Sequence, residues 1–116
     1  MRTLRISKNS WSPFTIVMKQ GILNYQGVVS AMQFVAKRGN LYDGETVISK
    51  TLGNGIIAST TKGVYCLLFN PTDTASLLQT REVLVWYLNF TDSQSRLIPL
   101  GAGYLIVNQE NVNAAA

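Results

Sequence analysis

Arg81-Glu82-Val83-Leu84-Val85-Trp86-Tyr87-Leu88-Asn89-Phe90 is the stretch on which the fold turns. Side chains of a strand alternate between its two faces, so Leu84, Trp86, Leu88 and Phe90 share one face. Val83, Val85 and Tyr87 share the other, which is too apolar for a face left to water. A strand of this kind belongs in a packed β-layer, with its second face covered by another sheet or by a neighbouring molecule. The surrounding closing third repeats the theme. It runs from the short strand ending at Leu68-Phe69, through the linker Asn70-Pro71-Thr72-Asp73-Thr74-Ala75-Ser76-Leu77-Leu78, to Gly103-Tyr104-Leu105-Ile106-Val107.

Outward from there, period-two patterns bounded by turn residues dominate. Leu4 and Ile6 mark a first strand that ends at Asn9-Ser10. Phe14, Ile16 and Met18 alternate with Thr15, Val17 and Lys19. Turns are expected at Gln20-Gly21 and Asn24-Tyr25-Gln26-Gly27. Val28–Lys37 sets Val28, Ser30, Met32, Phe34 and Ala36 on one face. Gly39-Asn40 and Asp43-Gly44 are hairpin dipeptides, followed by an edge strand over Glu45–Leu52 with Val47 and Leu52 inward. Gly53-Asn54-Gly55 turns the chain into Ile56-Ile57-Ala58. Val64–Phe69 is read with Val64, Cys66 and Leu68 inward. One helical turn is allowed near 73–78, capped by Asp73 or Thr72 with Leu77 packed beneath it. Asp92-Ser93-Gln94-Ser95 is a hairpin turn, with Arg96–Leu100 pairing back. The expectation is an all-β, immunoglobulin-like sandwich of about seven to nine short, mainly antiparallel strands. Residues 1–13 form an N-terminal arm or first edge strand, 14–108 the sandwich, and 109–116 a loose tail.

The 116 residues suffice for one domain with its own core. Only 14% are charged, against about a quarter in an average soluble domain, so much of the surface is left to neutral groups that a partner can cover. The sole cysteine, Cys66, allows no intrachain disulfide and reads as a small buried hydrophobe. No run has the length of a transmembrane helix, and no signal core follows the opening charges, so no membrane partner is expected.

Catalysis finds little to work with. Histidine is absent, which removes the commonest general base and rules out a Ser-His-Asp triad. Asp43 and Glu45 are the only close carboxylates, and they read as a solvated hairpin rather than a cation site or a glycosidase pair. Ser7-Lys8 and Ser49-Lys50 are strand neighbours that point to opposite faces, so neither makes a Ser–Lys dyad. Gly53-Asn54-Gly55 is too short for a phosphate loop. The reading is a non-enzyme with no catalytic residues, no metal and no cofactor.

The net charge of +4 is uneven. Arg2, Arg5, Lys8, Lys19, Lys37 and Arg38 all precede the first acid, Asp43. They are scattered rather than clustered between aromatics, which argues against direct nucleic-acid binding and for docking on an acidic protein surface. The interface candidates are Arg2, Arg5 and Trp11 in the N-terminal segment, and Val83, Val85 and Tyr87 on the closing strand.

The order of the short motifs resembles a known family. Gly27 leads one strand and Gly55-Ile56 a turn. There follow Gly63-Val64-x-Cys66-x-Leu68, Pro71-x-Asp73-Thr74-x-x-Leu77, Val85-x-Tyr87-Leu88-x-Phe90-x-Asp92 and Gly103-x-Leu105-x-Val107. Together, over residues 14–107, they look like the immunoglobulin-like β-sandwich proteins of tailed bacteriophages, closest to the N-terminal domain of the upper baseplate protein (BppU-like) family. The resemblance implies a virion structural protein assembled in the host cytoplasm. It would dock in multiple copies on the tail, baseplate or neck, against copies of itself and other virion proteins. In multidomain relatives a C-terminal extension carries receptor-binding parts. Only the tail 109–116 follows here, so capsid decoration or cementing is the alternative. A module binding a host-surface carbohydrate or receptor is the reading from another class, with Trp11, Tyr25 and Tyr42 as its rings.

Overall fold

The computed structural model describes residues 2–75, 77 and 81–108. In chain order the strands are β1 (Arg2–Ser7), β2 (Ser12–Val17), β3 (Lys19–Gln20), β4 (Leu23–Asn24), β5 (Val29–Arg38), β6 (Glu45–Leu52), β7 (Gly55–Ala58), β8 (Val64–Phe69), β9 (Arg81–Asp92) and β10 (Leu97–Asn108). Eight of them form one sheet in the order β1-β10-β9-β5-β6-β7-β8-β2, and β3 with β4 makes a separate hairpin. The protein is therefore all-β. Pairing is antiparallel except for β1 on β10 and the two-residue contact of β6 with β7.

The β6–β7 corner folds the sheet into a sandwich. Gly53 (φ 89°) and Gly55 (φ 96°) take left-handed backbone conformations open to glycine. Turn bonds lock the corner, with Thr51 N–H donating to Asn54 O at 3.0 Å and Gly53 N–H to Ile56 O at 2.8 Å. One layer is β1-β10-β9-β5-β6; β7, β8 and β2 lie over it. Between them sit Leu84, Trp86, Leu88, Phe90, Met32, Phe34, Leu105 and Val107 from the first layer, meeting Ile56, Leu67 and Phe69 from the second. Phe34 bridges the layers, edge-on to Phe69 at 5.4 Å and stacked on Trp86 at 5.6 Å. Aromatic pairs of this kind add about 0.5–1.5 kcal/mol each beyond the area they bury. Leu77 is fully buried beneath the linker, as the sequence suggested.

Several expectations change. In β8 the buried residues are Leu67 and Phe69, not Val64, Cys66 and Leu68. The strand is apolar on both faces, so alternation carries no information there, and the larger rings take the interior. Cys66 is half-buried on the outer side. In β6 the fully buried positions are Ile48 and Lys50; Leu52 packs half-buried on the core as expected, and Val47 does so at an irregularity in pairing with β5. The helical turn lies at Pro71–Asp73, and its cap is Asn70, whose side chain accepts from Asp73 N–H while Asp73 accepts from Asn70 N–H. Arg96–Leu100 and Gly103–Val107 are not separate strands. From Leu97 onward they belong to the single strand β10, with a register shift between Pro99 and Gly101, while Arg96 closes the turn. Pro99 is tolerated because β1 covers only Gly103–Asn108, which leaves the first half of β10 as an edge. The tail expected at 109–116 lies outside the described residues.

Candidate docking face

The sandwich uses one face of the β1-β10-β9-β5-β6 layer for its core and leaves the other outside. Register fixes what that outer face carries. Val83, Val85 and Tyr87 on β9 stand opposite Ile106, Tyr104 and Ala102 on β10. On the other side Val85 meets Lys37 and Tyr87 meets Val35 of β5. On β1, Arg5 lies beside Ile106 and Thr3 beside Tyr104. Val83 (45%) and Tyr104 (44%) are well exposed, while Val35 (4%) and Ile106 (7%) are sunk between their neighbours. The second layer does not cover this strip, so Val83, Val85 and Tyr87 point to solvent.

Charge on the face has one sign. Arg5, Lys37 and Arg81 share its parity, and among the described residues no carboxylate does. Four acids, Glu45, Asp73, Glu82 and Asp92, are engaged in ion pairs away from the strip. Glu82 turns inward and accepts from Arg38 Nε at 2.6 Å, and Arg38 also bonds Glu45 at 3.2 Å. This pairing pushes the Arg38 pKa further up, with the Glu82 hydrogen bond as the main cause. The second Glu82 oxygen is buried without a hydrogen-bond partner among the described residues. Asp92 accepts from Arg96, and Asp73 pairs with Lys50. Lys37 Nζ donates to the Leu41 carbonyl at 3.2 Å, which props its amine at the edge of the strip.

Of the interface candidates read from sequence, the fold brings together Arg5, Val83, Val85 and Tyr87. Arg2 takes the opposite parity and lines a cleft on the core side. Trp11 is exposed in the β1–β2 turn, away from the strip. Sequence reasoning missed Tyr104, Ile106, Val35 and Lys37. The signal was present in Gly103–Val107, whose two parities are as apolar as those of β9. It also missed the hairpin tip, where Ile22 is 93% exposed.

The three rings considered for a carbohydrate platform do not meet. Tyr25 packs edge-on against Phe90 at 5.4 Å, at the end where β9 finishes. Trp11 and Tyr42 belong to turns at the end where β9 begins. Among the described residues no group of three or more metal-ligating side chains comes together, and no helix is long and apolar enough to cross a membrane. No protein-family model matches the chain, and no curated protein matches its sequence.

Proposed function

We propose that this chain is a structural docking module of a multi-copy particle, of the tailed-phage virion type suggested by its motif order. The carrying observation is the outer strip of Val83, Val85, Tyr87, Tyr104 and Ile106, apolar at its centre, with cations and, among the described residues, no carboxylate at its edges. Burying such a strip stabilises a contact by roughly 25 cal/mol per Å² of apolar area before association costs, and the flanking charges select the partner. Two copies set face to face would oppose Arg5, Lys37 and Arg81 with their equivalents. The partner surface is accordingly one that carries carboxylates, on another particle protein or on a different face of the same chain. A heterologous contact of that kind builds rings and collars.

Imaging of intact particles from the source, with the chain located by density and by cross-linking mass spectrometry, tests this reading. The expected result is repeated copies with Val83 and Tyr104 cross-linking proximal to an acidic neighbour. Purified particles that lack the chain, or a chain that is monomeric and binds no particle protein, would overturn it.

A further inference from the structure

The folded sheet ends at β1 on one side and at β2 on the other, and both edges line one cleft. The cleft has a volume of about 930 Å³. Ladder alternation shows which backbone groups lie open there. Lys8 N–H donates to the Asn108 carbonyl at 2.7 Å, continuing the β1–β10 ladder, so even-numbered residues of β1 face β10. Thr3 and Arg5 thus turn their N–H and C=O groups outward. Met18 N–H donates to the Gly63 carbonyl at 2.8 Å, continuing the β2–β8 ladder, so Thr15 and Val17 turn theirs away from β8. Pro13, with no N–H to offer, has this same open parity, the one place in a paired strand where it removes no ladder bond.

The cleft wall is apolar and alternating. Phe14 and Ile16 line it and pack on the core, yet both remain only half-buried. Leu4 and Leu100 face them across the gap, and Gly101 and Ala102 line it where β10 runs on before β1 begins. Arg2 and Lys19 are the charged residues of the lining, and it contains no carboxylate. An uncharged edge such as Phe14-Thr15-Ile16-Val17 is the kind that sheet proteins normally blunt or cover.

We propose that this cleft captures an extended, acidic segment of another protein chain by β-strand addition to β2. The segment's backbone bonds Thr15 and Val17, its alternate apolar side chains rest on Phe14 and Ile16, and a carboxylate meets Arg2. A small amphiphile with an anionic head matches Arg2 and the apolar wall but leaves the open backbone groups unbonded, so the strand fits better. The site is separate from the outer strip and does not depend on it.

The test uses the whole chain and a blocked heptapeptide of alternating valine and threonine with two glutamates at one end. Titration is followed by calorimetry and by amide hydrogen exchange. The expected result is saturable binding, with exchange at Thr15 and Val17 slowed about tenfold or more. A version of the peptide N-methylated at alternate amides should not bind. Arg2→Glu, at an exposed position, should keep the fold by circular dichroism and weaken binding about tenfold, as loss of a charge-assisted hydrogen bond does. Equal binding of the N-methylated peptide, binding of decanoate in place of the peptide, or no binding of either would each overturn the proposal.

Discussion

Lys50 Nζ lies 2.6 Å from Asp73 Oδ2, tying an inward-facing lysine of β6 to the linker that caps the sandwich. The two side chains are only 6% and 14% exposed. Asp73 Oδ2 also accepts the Asn70 N–H at 2.8 Å, so the ion pair and the turn cap share one carboxylate. Leu77, buried just beyond, is held in place by the same turn.

Removing one partner of a buried pair leaves the other charge uncompensated, which costs about 3–5 kcal/mol. Asp73→Ala is expected to lose stability on that scale in urea denaturation. Replacing both partners, as Lys50→Met with Asp73→Asn, is expected to cost less than Asp73→Ala alone, because no charge is then stranded. A double variant less stable than either single one would show that the pair is not coupled as the geometry indicates.

Gly55 is bound into the same arrangement. A Cβ added there would run into Lys50 Cδ, on a backbone already at φ 96°. Gly53, at φ 89°, has nothing within 4 Å of its Cβ position. Gly53→Ala therefore carries backbone strain alone, about 1–2 kcal/mol. Gly55→Ala carries that strain plus displacement of the lysine stem, a further 1–3 kcal/mol or so by analogy with overpacking. Equilibrium unfolding of the two variants side by side checks the difference.

These residues also show where the sequence was legible. In β9 one parity is bulky and the other smaller, and the interior set Leu84, Trp86, Leu88 and Phe90 followed directly. In β8 both parities are apolar, so only packing between layers could seat Phe69 against Phe34 and turn Cys66 outward. Lys50 on an edge strand reads as a solvated residue. Its burial depends on Asp73, which the chain brings near only after the β6–β7 corner, and no local pattern announces that meeting. The outer strip was half legible. Val83, Val85 and Tyr87 stood out on their own strand, but their neighbours Tyr104, Ile106 and Val35 depend on pairing partners that periodicity does not supply.

Asp92 makes the fold sensitive to acid. Its Oδ1 accepts the Gln94 and Arg96 N–H groups at 2.9 Å each, and its Oδ2 accepts Arg96 Nε at 2.8 Å. These bonds, the Arg96 backbone N–H foremost, hold the carboxyl below its ordinary pKa of 3.8 although burial opposes them. A folded-state pKa below the unfolded one contributes stability above the unfolded value, and that contribution is lost as pH falls through the folded value. The urea midpoint of the natural chain should exceed that of Asp92→Asn by a constant margin from neutrality down to about pH 5. The margin should then shrink as the solution is acidified below about pH 4. A margin that grows on acidification would contradict the assignment.

The outer strip makes the prediction that bears most directly on docking. Val83 and Tyr104 are exposed, so Val83→Asp and Tyr104→Ser should change stability by no more than about 0.5 kcal/mol. The same changes put a carboxylate into, or take a ring out of, the centre of the strip, where binding energy concentrates. Association with the acidic particle partner should fall at least tenfold for each. Arg5→Glu and Lys37→Glu act differently, because edge charges steer encounter. They should slow association and flatten its dependence on salt while leaving dissociation nearly unchanged. Trp11→Ala, in a turn away from the strip, should alter neither rate. Surface plasmon resonance across an ionic-strength series separates these outcomes. If Trp11→Ala weakened binding as much as Val83→Asp, the contact would lie at the turn and not on the sheet.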